Sequence, residues 1–549
     1  MMRLIIKDYL ACLKEKDELD ILLCDLLLQM GYVTHNIPKT GNRQYGVDIR
    51  ADNEKELLLF VIKQGDMNRK NWDHGQNAVR QSLNEIRDCY MSLINGTERN
   101  KKLSIIVVTN GMMDEAVRPN WEGYKRENTI WDEIPIELVF WDIDDITSRV
   151  QKYLFNEHLF GNDMRSLLRR SLYFVEESDY QKVYFERLID NYLSKLIENN
   201  SKKEQEKILS GVFLATQMIA YYAANCEKYR IGIMVSEYLI IRYWKYLLDN
   251  NCFEIVQYIK WLHKYLTQYE KWNHMYYITV KFCCEGKNRL LLSNPVEQCV
   301  ILYEMIGYLT SYAYYLYFKN QINRSCEVEL SSVVNDIVQI FNNYPGVNYP
   351  PFDNHVGILT MVYRLFNSLG RKNEVVGLVN EICSYMKVYY CKFRKYPSPI
   401  DSFEDAVNIY NGYPSEEYVT SGFWGTMLEW IVILEQKELY QSIQPFLSVN
   451  LSEVSKCAWF LKSEEETKFY DQHSMHLAGT GVAFETVESF DELKDQINIV
   501  LNQFASENFS FEKYEFQALE FIASRYYGML PRVKTELNAD EDDISVLDN

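Results

Sequence analysis

Residues 44–65 read QYGVDIRADNEKELLLFVIKQG, and the fold of the N-terminal third turns on them. Apolar residues flank the polar cluster Asp52-Asn53-Glu54-Lys55, which predicts two strands joined by a tight turn. A turn centred there sets Asp48 opposite residue 60 or 61 and puts Val61 and Lys63 on one face of the second strand. A carboxylate and an ammonium on neighbouring strands can hold a divalent cation and orient water toward a phosphodiester. They can equally form an ordinary cross-strand ion pair.

Working outward, the spacing of Leu19, Leu22, Leu23, Leu26, Leu27 and Met30 predicts a helix over 17–30, stopped by Gly31. Val79, Leu83, Ile86, Tyr90 and Leu93 predict a second helix over 76–93. LSIIVVT (103–109), closed by Asn110-Gly111, and IELVFW (136–141) read as buried strands, and a helix over 144–157 follows. This order predicts an α/β domain with a mixed sheet over 1–160. From 161 to 535 strand signals nearly vanish and amphipathic helices follow one another. They predict a large all-α region that resembles tetratricopeptide-type solenoids only loosely, since no fixed period appears. The acidic stretch 536–549 reads as a disordered tail.

The 549 residues are too many for one core. Twelve cysteines without a CxxC pair suit reduced thiols, and no signal-peptide core opens the chain, so a cytoplasmic protein is expected. The apolar run over 300–318 is interrupted by Glu304 and several tyrosines and reads as a buried helix, with no membrane partner implied. The net charge is −19, and residues 1–160 hold 21 basic against 26 acidic side chains. Such a balance disfavours a non-specific nucleic-acid coat but leaves room for a focused cleft. Most of the 42 tyrosines lie in the helical part, at spacings that suit core packing.

The α/β pattern resembles the PD-(D/E)XK nucleases, in particular their Mrr-like restriction-endonuclease branch. There an aspartate on one strand is followed across a hairpin by (D/E/Q)-x-K, and a preceding helix often adds an acidic residue before a Gly-Tyr turn. The matching residues are Asp20 in ELDILLCDLLLQMGY, Asp48 in YGVDIRA and Lys63 in FVIKQG, and the TNG strand and IELVFWDIDDITSRVQKYL are similar to the closing elements. The resemblance covers residues 15–160 and departs at Val61, which replaces the family's acidic or amide residue and cannot ligate a metal.

The resemblance implies a restriction-endonuclease-like domain and metal-dependent hydrolysis of DNA, with RNA as the other nucleic acid to test, in bacterial defence against foreign DNA. Asp48, with Glu85 or Asp20 in place of the missing ligand, would hold Mg²⁺ or Mn²⁺, and Lys63 would stabilise charge on phosphorus. Gln64, Arg69, Lys70 and Arg80, with Trp72 interleaved, would follow the nucleic-acid backbone. The helical region would sense, bind a protein partner or form a homo-oligomer.

Plainer readings stand beside these. Asp20 would complete a capping box with Asp17, Asp48 would pair with Arg50 or Lys63, and Glu85 would be a solvated helical charge between Arg80 and Arg87. The alternatives for the whole chain are a catalytically inactive nucleic-acid-binding module and a helical interaction scaffold. His473 and His476 form an HxxH pair in a loop, and His74 sits in another.

Overall fold

The computed structural model describes residues 2–35, 45–74, 78–96, 98–177, 180–198, 201–286, 294–323, 325–413, 418–471, 479–504 and 507–528. The HxxH pair and the acidic tail lie outside them. The chain divides into two compact units, Met1–Val235 and Ser236–Asn549.

Unit one holds a six-stranded mixed sheet in the order β1-β2-β3-β4-β6-β5 (Val33–Thr34, Ile49–Asp52, Glu56–Lys63, Lys102–Thr109, Ile134–Trp141 and Ile130–Trp131 for β1, β2, β3, β4, β6 and β5). The hairpin β2–β3 is antiparallel, as its turn residues require, whereas β3–β4 and β4–β6 are parallel. Central strands buried on both faces need continuous apolar sequence, which LLLFVI and LSIIVVT supply. Leu57, Leu59 and Val61 share one core with Leu103, Ile105 and Val107 under helix α4 (Val79–Asp88). Asn68 caps the short helix α3 (Arg69–Asp73) ahead of it. Helices α1 (Met2–Cys12) and α2 (Asp20–Gln29) lie N-terminal to the sheet. A fifth helix, α5 (Arg118–Glu127), adds Trp121 and Tyr124 to the same core. Helix α6 (Ile143–Tyr153) opens on an Asp142/Asp145 capping box and packs on α1.

Two expectations change here. Helix α1 was not read from the sequence, although Ile5, Ile6, Tyr9 and Leu10 are its buried stripe. The expected helix over 17–30 starts only at Asp20, because Asp17 has φ +68° and breaks the turn.

The change from α/β to helical sequence at residue 160 is not where the compact units divide. Helices α7 (Asn162–Glu176), α8 (Val183–Glu198) and α9 (Lys202–Asn225) pack on one another, and α9 packs on α1, so they complete unit one. Unit two is mostly helical but not all-α. Strands Thr420–Ser421, Ser455–Phe460 and Thr480–Phe484 form a small sheet. Gly425 is required where helix Gly422–Ile433 crosses that sheet, since a Cβ would overlap the Cys457 backbone.

Many tyrosines of unit two are core residues, and some of their hydroxyls find backbone partners: Tyr303 donates to the Val347 carbonyl at 2.8 Å and Tyr349 to the Tyr396 carbonyl at 2.8 Å. Among the described residues, no helix is long and apolar enough to cross a membrane.

Candidate active site

Ile49 is registered with Phe60, yet the Asp48 N–H also donates to the Phe60 carbonyl, at 2.8 Å. Two residues therefore oppose one, and the strand is bulged at Asp48. Gly46, at φ +82°, leads into the bulge directly beneath α4, where a Cβ would overlap the Ser82 carbonyl oxygen. The Asp48 carboxylate accepts from the Ile62 N–H at 2.7 Å through Oδ2.

Burial pushes the Asp48 carboxyl up to about 6; the Ile62 N–H, Lys63 and Lys16 pull it down, and Glu15 pushes it up. Arg50 is no partner for it, being bound to Glu98. Lys63, mostly buried at the end of β3, faces Glu15 with Nζ 3.9 Å from Oε1. Among the described residues, Asp48, Lys63, Glu15 and Lys16 are thus ionisable groups that the fold gathers at the mouth of the hairpin.

Glu15 is the residue that sequence reasoning missed. It sits in the break between α1 and α2, and the signal was the charged run KEKDELD after an amphipathic stretch.

The remaining expected residues fall elsewhere. Asp20 is buried and its carboxylate accepts from the Ile21 N–H at 2.8 Å; with Asp17 non-helical, the Asp17–Asp20 capping box does not form. Instead the Glu18 carboxylate accepts from the Lys14 N–H at 2.9 Å. Glu85 is exposed on α4, and no hydrogen bond or ion pair among the described residues joins it to Asp48 or Lys63. Gln64 turns inward and donates to the Leu13 carbonyl at 3.1 Å. Arg69 and Lys70 are exposed on α3, and Arg80 is 3.4 Å from Asp73. Trp72 is not interleaved with them; it is core, edge-on to Trp121 and Tyr124. His74 is exposed beside the Arg69 carbonyl.

The TNG turn fastens this region. Asn110 accepts from the Gly65 N–H at 2.8 Å and donates to the Leu10 and Leu13 carbonyls, each at 2.9 Å. Its side chain so ties the end of α1, and with it the segment bearing Glu15, to the ends of β3 and β4.

Val61 is fully buried in the core beneath α4 and offers no donor. Among the described residues, no group of three or more His, Cys, Asp or Glu side chains is placed to hold a metal ion. The acidic oxygens present are those of Asp48 and Glu15. Both are hard ligands, and a carboxyl raised by burial is one that a neighbouring cation would return to its ionised form. A Mg²⁺ ion bound here would draw on these two carboxylates and complete its shell with water, since that ion keeps several waters.

No protein-family model matches the chain, and neither a search of curated proteins nor one of solved structures finds a match.

Proposed function

We propose that unit one is a metal-dependent endonuclease that hydrolyses DNA phosphodiester bonds, in keeping with the resemblance to PD-(D/E)XK nucleases and the defence role it implies. The observation that carries this reading is Asp48: a carboxylate turned inward by a bulge, raised to about 6, and set beside Lys63 and Glu15. Purely structural carboxylates are seldom left at such a cost beside a buried ammonium, whereas active sites concentrate such groups.

Asp48 and Glu15 would hold the Mg²⁺, which when bound supplies polarisation of the phosphoryl oxygen and a more acidic water. The Ile62 N–H fixes the Asp48 rotamer, leaving the second carboxylate oxygen for the cation. Lys63, anchored by Glu15, brings a positive charge to the place where a scissile phosphate accumulates negative charge. The exposed Arg69 and Lys70 offer contacts to the backbone phosphates on either side.

Plasmid cleavage with Mg²⁺ or Mn²⁺ tests the assignment. Asp48→Ala, Lys63→Ala and Glu15→Ala are each expected to lower the rate by about 10²-fold or more, and Asp48→Asn to abolish Mn²⁺ binding by calorimetry. Undiminished cleavage in Asp48→Ala and Lys63→Ala removes the site.

A second reading, a module that grips nucleic acid without cutting it, is favoured by one observation, the burial of Val61 where a third ligand would stand. It requires DNA binding that survives chelation and no cleavage with any divalent ion.

A further inference from the structure

The segment that carries Glu15 is not helical at its centre: Lys16 is extended and Asp17 is left-handed. Such a segment holds one position only if its surroundings fix it. On one side Gln64 and Asn110 grip the Leu13 carbonyl. On the other side stands α9. Lys207 Nζ donates to Glu18 at 2.8 Å and lies 2.6 Å from Glu204, and Glu204 in turn lies 2.8 Å from Lys14 Nζ.

All four groups of this alternating set bind across the break: Lys14 and Glu18 flank Glu15 and Lys16, while Glu204 and Lys207 stand one turn apart on α9. Lys207 and Glu18 are mostly buried, so the pair is better shielded than a surface bridge. Beneath the segment is a cavity of about 430 Å³ lined in part by Asp17, Glu18, Glu204 and Lys207, so packing alone does not hold it.

We propose that Lys207 and Glu204 of α9 are positioning residues for the candidate active site, clamping residues 14–18 so that Glu15 meets Lys63 beside Asp48. This deepens the proposed function and, for the role of Glu15 in metal binding, rests on it. The clamp makes α9 the element through which the helices of unit one bear on the chemistry. A shift of α9 that parts Lys207 from Glu18 releases the acid without touching β2 or β3.

Two readouts on the full chain test this. Amide hydrogen exchange of residues 14–19 is expected to quicken roughly tenfold in Lys207→Met and in Glu18→Gln, with β3 and β4 unchanged and Lys207→Arg restoring protection. Calorimetry with Mn²⁺ is expected to show about tenfold weaker binding in the same two variants, again restored by Lys207→Arg. Unchanged exchange in both variants overturns the clamp. Faster exchange with unaltered Mn²⁺ affinity overturns the positioning of Glu15. A wild-type chain that binds no Mn²⁺ removes the proposed function by itself, and the positioning role with it; exchange then decides whether the clamp stands.

Discussion

Asp48 is where the fold and the proposed chemistry conflict most sharply. Its carboxyl rises from 3.8 to about 6, chiefly through burial. Because the folded value lies above the unfolded one, the neutral acid is favoured in the folded state. Stability is therefore fully present below the unfolded value and falls as pH climbs through 6. At 1.36 kcal/mol per unit the loss is at most about 3 kcal/mol. Asp48→Asn keeps an oxygen for the Ile62 N–H and removes the charge, so it should stabilise the chain by up to about 3 kcal/mol at pH 7.5 and by little at pH 4. Urea unfolding at the two pH values checks this, and equal effects at both would rule it out. Asp48 and Lys63 were legible as a pair because hairpin register is a local property. Glu15 was not, because its approach to Lys63 depends on α1 reaching the ends of β3 and β4, a long-range contact that Asn110 and Gln64 help to fasten.

At the scale of elements, the strands were the most readable parts, since β3 and β4 are short, continuous apolar runs bounded by turn residues. Helix ends were harder: Asp17 and Asp20 have the spacing of a capping box, but a left-handed residue at 17 cancels it. The sheet in unit two was missed because its strands are short and one of them, Thr480–Phe484, is largely exposed and carries little apolar signal. The contact between the bulge and α4 yields a prediction. Gly46→Ala adds a Cβ into the Ser82 carbonyl at a positive φ and should cost about 2 kcal/mol or more. Its thermal midpoint is the measurement, with Gly123→Ala, where a Cβ meets open space, as the control.

Over the whole molecule, the sequence marks a change of composition at residue 160, but the division into compact units depends on which helices cover α1. Since α9 packs on α1, a chain ended at Phe160 strips that cover, whereas one ended at Val235 keeps it. The shorter chain should melt at least about 10 °C lower or fail to fold, as circular dichroism would show; equal melting would place the autonomous unit at 160 instead.

The bulge at Asp48 also has a meaning for descent. A charge that weakens the fold is retained only while something selects for it, and any lineage released from that demand gains by replacing Asp48 with asparagine. Among relatives of this chain, loss of Asp48 should therefore arrive together with loss of Lys63 and Glu15, and the more thermostable proteins should be those that have made the exchange.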